Sequence, residues 1–189
     1  MTTQADLIAS CRSRYAQAAT TAEELAGPLT RRQLAWSPPD GGWGVAQVLE
    51  HLTLSNEQYL KEIRARLDRR PKPRRNAAAM WRPSLAGRLL EHAMVSPRKA
   101  KAPRVWTPGP VVRPQPLDGF THTLSELTAQ LDRAADVDLR RTRTRSPVSW
   151  LIRLNLGDAF ELQALHAERH LGQIHRITLR PEFPGARAD

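Results

Sequence analysis

Apolar positions recur at alternating steps of three and four from Ile8 through Cys11, Tyr15, Ala18, Ala22, Leu25 and Leu29. That spacing draws one stripe along a helix. Gly27-Pro28 should end or sharply kink it, because proline removes a backbone donor and glycine tolerates positive φ. Thr30 is placed to cap one short further turn, RRQL, and SPPDGG at 37–42 is a turn cluster without periodicity. A second long helix is expected from Gly44 to Leu67, its stripe formed by Val45, Leu49, Leu52, Asn56, Tyr59, Ile63 and Leu67. Gly44 is a second-rate N-cap, Gln47 stands at the capping-box position, and the Arg-rich end suits the negative pole of the helix dipole.

Residues 70–117 break this regularity. RRPKPRRN is a charged, proline-broken connection, Ser84 to Met94 has the pattern of a short amphipathic helix, and SPRKAKAPRVWTPGPVVRPQP reads as extended or polyproline-like. A connection of this length is either packed over the surface by Trp81, Trp106 and Val111 or mobile. A third long helix is expected from Leu117 to Leu139, with Phe120, Leu124, Leu127, Leu131 and Ala134 on one face. Alternating Val148, Trp150, Ile152 and Leu154 look extended, and Pro147 argues against helix there. Asn155, with Asp158 three residues on, should cap a fourth helix running to about Leu179, before Pro181. With no convincing sheet, the expectation is an all-α fold: an antiparallel four-helix bundle with a long basic, proline-rich insert between its second and third helices. One domain over 1–189, with 181–189 as a tail, suits the length.

Charge sharpens the outline. The chain carries 29 Lys+Arg against 19 Asp+Glu, a net charge of +10. From Lys61 to Arg113 fifteen basic residues face three acids, Glu62, Asp68 and Glu91, and nine of the fifteen prolines lie between Pro71 and Pro116. The excess therefore belongs to one connection, and the helices outside it are near neutral. Fifteen cations could contact the phosphates of a nucleic acid or another polyanion, with strongly salt-dependent affinity. No recognised nucleic-acid motif accompanies them, and nucleic acid is not the expected partner. A hydrophobic content of 40% with five Trp excludes wholesale disorder. The opening MTTQADLIASCRSRYAQ lacks the features of a signal peptide, and no stretch approaches the roughly 20 apolar residues of a membrane span. A cytoplasmic location is expected.

Cys11 is the only cysteine. It excludes an intrachain disulfide and a Cys-rich zinc module, so any metal would be held by His and carboxylate. The fourth helix offers such ligands in LHAERHLGQIH, where His166 and His170, four apart, project from one face. His170 falls in register with the apolar stripe Leu156, Phe160, Ala167, Ile174 and Ile177, and His166 sits at its margin. The pair can reach one metal, or be two histidines hydrogen-bonded in a wet core. His51, on the second long helix, is the best-placed third ligand. His175 lies roughly 140° from His170 around the helix axis, and His92 and His122 have no paired neighbour.

GWGVAQVLEHL, with Trp43 before a helix and His51 eight residues later, resembles the first signature of the DinB-like (DinB/YfiT-type) metal-binding proteins. LHAERHLGQIHRI resembles the second, with His166, His170, Gln173 and Ile174 at its key positions, and LAWSPPDGGWG resembles the turn ahead of the second helix. The resemblance spans most of the first, second and fourth long helices. It implies a four-helix bundle with one divalent metal on His51, His166 and His170; zinc and nickel suit imidazole best, and iron also fits. Members of that family include transferases and isomerases using low-molecular-weight thiols, suggested metal-dependent hydrolases, and proteins without an assigned activity. It thus implies a hydrolase or thiol-dependent transferase acting on a small molecule, a homodimer being among the expectations, with a non-catalytic metal- or ligand-binding bundle as the alternative. Three neutral imidazoles leave an open position where a water's pKa falls toward ~7 or a thiolate binds. Gln47 and Gln163 lie on the same faces as the histidines, placed to orient ligands or water. Glu50 and Glu161 are poorly placed as general bases. Gly44 stands where the family often has Ser or Thr.

Overall fold

The computed structural model describes residues 2–69, 71–74, 79–96, 103–109 and 111–185. Parts of the basic connection (70, 75–78, 97–102 and 110) and the last four residues of the expected tail lie outside them. Among the described residues the chain is mainly helical, with six α-helices: α1 (Gln4–Ala26), α2 (Arg31–Ala35), α3 (Val45–Leu67), α4 (Leu85–Val95), α5 (Pro116–Arg133) and α6 (Leu156–Thr178). The four long ones pack as a bundle in which α1 neighbours α5 and α6, and α3 neighbours the same two helices.

Each boundary has a local cause. Thr3 and Asp6 form a reciprocal capping box that starts α1, and the stripe from Ile8 through Ala22 is buried as the periodicity requires, with Leu25 and Leu29 half-buried at its end. Thr30 and Gln33 repeat the device at the one-turn α2. Asn155 and Asp158 do so at α6, each side chain accepting the other's backbone N–H at 2.8 Å. The polar interruption at Asn56 is resolved across the bundle, where its side-chain amide donates to Thr123 Oγ1 at 2.8 Å. Tyr15 is buried with its hydroxyl donating to the Phe160 carbonyl at 2.8 Å, which ties α1 to α6.

Two expectations are corrected. The third long helix stops at Arg133 instead of Leu139, because the backbone beyond it is claimed from outside. Asp138 N–H donates to the Lys72 carbonyl, Arg74 N–H donates to the Asp136 carbonyl, and Leu139 N–H reaches the Gln4 side chain at 2.6 Å. Those bonds fasten the start of the basic connection to the bundle. The first helix, by contrast, ends at Ala26, where Gly27-Pro28 is expected to stop it. The absence of sheet is also overturned, by two small antiparallel ladders. β1 (Thr2–Thr3) pairs with β2 (Met80–Trp81), and β3 (Arg143–Ser146) forms a hairpin with β4 (Ser149–Asn155). The extended reading of 148–154 is met by β4 from Ser149 onward, Val148 lying in the hairpin turn. Its partner RTRS has no apolar residue, and it buries Thr144 and Ser146 while turning both arginines out.

Within the connection, Ser84 caps α4 as its sequence implies, and Trp106 closes a 3-10 turn over Arg104–Trp106. Trp81 and Trp106 are buried, whereas Val111 is fully in solvent and anchors nothing. The Asp158 carboxylate accepts the Ser84 N–H at 3.0 Å, joining the starts of α4 and α6. Gly87 is required there, since a Cβ would lie 2.5 Å from that carboxylate. After α6 the chain turns back, and Phe183 packs edge-on against Trp36, ring centroids 5.4 Å apart.

Gly44 is the informative cap. Its N–H donates to Gln47 Oε1 at 3.0 Å, the half of a capping box that needs no N-cap side chain. A Cβ there would lie 1.9 Å from the Trp36 carbonyl oxygen, so the turn at 36–44 closes too tightly for Ser or Thr. A hydroxyl cap ordinarily gains a few tenths of a kcal/mol over glycine, but overpacking costs about 1–3 kcal/mol. Gly44→Ser is expected to lower the thermal midpoint, measured by circular dichroism; a raised midpoint would contradict the crowding.

Candidate metal centre

The bundle brings His51 of α3 together with His166 and His170 of α6. One ring nitrogen from each lies within 4.8 Å of the other two. The centroids are 4.9 Å apart for His51 and His166, 4.6 Å for His51 and His170, and 4.7 Å for His166 and His170. His51 and His166 are buried and His170 is half-buried. His92, His122 and His175 are exposed and stand outside the cluster.

Hydrogen bonding fixes how two of the rings are presented. His51 Nδ1 lies 2.8 Å from the Trp106 carbonyl oxygen, which can only accept, so Nδ1 carries the proton and Nε2 presents its lone pair. His170 Nδ1 donates to Gln173 Oε1 at 2.8 Å, leaving its Nε2 free in the same way. The His51 and His166 Nε2 atoms stand 3.0 Å apart, close to the roughly 3.3 Å edge of a tetrahedral site with nitrogen ligands. His166 Nδ1 is buried without a partner.

A wet-core pair would need one hydrogen bond between His51 and His166. It would not account for the third imidazole, held by its own acceptor with a free lone pair beside the other two. A shared cation uses one nitrogen from all three, so the residues present fit a metal and the cluster could hold one ion. Burial lowers the pKa of each ring: His51 below its ordinary value, His166 far below, and His170 down to about 3, with neighbouring imidazoles adding to the last two. All three are neutral at pH 7, the state in which imidazole binds metal.

Sequence reasoning missed most of the surroundings. The Trp106 carbonyl, from the middle of the basic connection, orients His51, and the only signal was a tryptophan among prolines and arginines. Trp43 lies against the other side of His51, centroids 4.9 Å apart. Gln173 supports His170, a role its place in the signature did not specify. Gln47 is turned to the α3 cap, where its carbonyl also accepts from Ser37 Oγ at 3.2 Å. Gln163 is fully buried one turn before His166, accepts from Ser55 Oγ at 3.2 Å, and leaves its amide nitrogen without a partner.

The remaining chemical candidates are engaged elsewhere. Glu50 is gripped by Arg113, whose Nε and Nη2 donate to its two oxygens at 2.6 and 3.1 Å. Glu161 accepts from Arg14 at 2.6 Å and faces Cys11, whose sulfur is 3.6 Å away. Burial, reinforced by Glu161, raises the Cys11 thiol and keeps it protonated, so it is no nucleophile at neutral pH.

A mainly helical bundle with three converging imidazoles from two facing helices defines a class of metal-site bundle proteins. The sequence agrees: residues 14–174 match the DinB superfamily model, and the chain belongs to that superfamily. Neither the curated proteins nor the solved structures include a match to this chain. No helix among the described residues is long and apolar enough to cross a membrane.

The buried imidazoles make stability depend on pH. Unfolded, each titrates near 6.5; folded, each binds its proton only at lower pH, so the unfolded chain holds more protons in between. Their stabilisation is complete above about pH 6.5 and is lost as pH falls toward the folded values. Chelator-treated protein should show a urea midpoint that declines from pH 7 to pH 5. A flat profile would mean that the rings are not buried as described.

Proposed function

We propose that the protein is a metal-dependent enzyme, a hydrolase or a low-molecular-weight-thiol-dependent transferase, whose working centre is one divalent ion on His51, His166 and His170. The observation that carries this reading is that His51 and His170 each spend Nδ1 on an oxygen while one nitrogen from each of the three rings lies within 4.8 Å of the other two. A divalent ion bound there supplies Lewis acidity at a position left open by three neutral ligands. With no thiolate in the set, the ion keeps its charge; zinc and nickel fit imidazole best, and iron also fits.

The chain's own residues do the rest. The Trp106 carbonyl and Gln173 hold the ligand tautomers, and Trp43 and Trp106 flank His51 and limit water around it. Glu50 and Glu161 are held by arginines, so the proton acceptor is expected to come from the substrate or from solvent. The substrate is a small molecule, and a second copy of the chain as a homodimer partner fits the family pattern. The burial of His51 and His166 beneath the Trp106 segment favours a second reading, a closed bundle that holds metal without turnover.

Metal analysis of protein purified without added metal should find about one divalent ion per chain, lost in His51→Ala and in His166→Ala. Stoichiometric metal retained by both variants would sink the proposal. Gln173→Leu keeps all three ligands but removes the acceptor for His170, and should weaken metal affinity by about 10–100-fold in chelator competition. Turnover of ester or electrophilic substrates, with and without low-molecular-weight thiols, separates the enzyme from the closed metal holder.

A further inference from the structure

The histidine centre makes no use of the positive charge that dominates the sequence. α4 packs Ala86, Leu90 and Met94 against the core and leaves Leu85 and Leu89 outside, 78% and 70% exposed. Exposed Arg88 stands between those leucines in sequence. It also lines, with Thr2, Trp81, Arg82 and Pro83, an open cleft of about 460 Å³. α4 packs beside β4, which turns Leu151, 69% exposed, and Arg153 outward, while β3 turns out Arg143 and Arg145. The ladder sets Arg145 directly opposite Arg153, a like-charge pairing that costs the hairpin stability. Arg88, Arg145 and Arg153 have no ion pair among the described residues.

Folding explains neither the outward leucines nor the opposed arginines, so the occupant of this face has to satisfy both. A twofold contact between copies would set this positive patch against the same positive patch. A nucleic acid would take the arginines and leave the leucines in water. An anionic bilayer meets both demands, offering phosphates to guanidinium groups and an apolar boundary to leucine side chains.

We propose that α4 and the β3–β4 hairpin form a docking face for an anionic phospholipid surface, with Arg88 receiving headgroup phosphate at the cleft while Leu85 and Leu89 enter the headgroup–acyl boundary. The test is co-sedimentation of the full chain with vesicles of phosphatidylcholine alone or mixed with phosphatidylglycerol, with duplex DNA as a competitor. Binding is expected on the mixed vesicles only. It should weaken about tenfold or more in Arg88→Glu, and comparably in the double variant Leu85→Ser/Leu89→Ser. All the altered side chains are exposed, and circular dichroism verifies the fold of each variant. Absence of binding to mixed vesicles, or vesicle binding indifferent to both variants, would overturn the proposal. So would duplex DNA that displaces the vesicles and binds equally well without the two leucines, which would make the face a nucleic-acid surface.

Discussion

A single hydrogen bond, from His51 Nδ1 to the Trp106 carbonyl, joins the two halves of this structure that have least in common. One half is a bundle whose helices follow from periodic apolar positions. The other is a proline-broken stretch rich in cations. The carbonyl oxygen can only accept, so the bond sets the tautomer of His51 and turns its Nε2 toward His166. In return, the buried imidazole holds the Trp106 turn down on α3. Burial then keeps the three rings neutral, and neutral rings at these separations either share one hydrogen bond and leave the third ring over, or share a cation.

The same economy appears at the other fastenings. Asp158 begins α6 through its box with Asn155 and also accepts the Ser84 N–H, so one carboxylate fixes the start of two helices. Arg113 closes the far end of the connection on Glu50, the residue next to His51, which removes that carboxylate from chemistry while steadying the α3 turn that carries the ligand. Gln4 and the carbonyl of Lys72 take the backbone donors just beyond α5. The connection is thus tied to the bundle at its start, its middle and its end, chiefly by polar contacts around two buried tryptophans.

Two arginine-bearing regions have different consequences. Arginines that meet carboxylates, such as Arg14 between Glu161 and Glu168 or Arg113 on Glu50, are part of how the helices hold together. Those on the outer side of α4 and on the hairpin oppose each other or stand beside exposed leucines. Folding does not require that arrangement, which sets exposed leucines and opposed arginines on neighbouring elements.

The sequence by itself determined what depends on spacing. The stripes of α1, α3 and α6 follow from steps of three and four, the caps at Thr30 and Asn155 from side chains that bond within three residues, and the common face of His166 and His170 from one helical turn. The third histidine was legible as a position on a helix face and in a signature. Only the tertiary structure decided what depends on groups distant in sequence. The Trp106 carbonyl carries no residue-specific mark, since every residue has one, so nothing in the text of the chain distinguishes it. The early end of α5 arises from bonds to Lys72 and Gln4, and the strand RTRS was invisible because its buried residues are small and polar. Gly44 read as a weak cap, and became the only residue that fits once the Trp36 carbonyl was in place. Local geometry repeats along a chain and can be read from it; a backbone oxygen brought in from more than fifty positions away cannot.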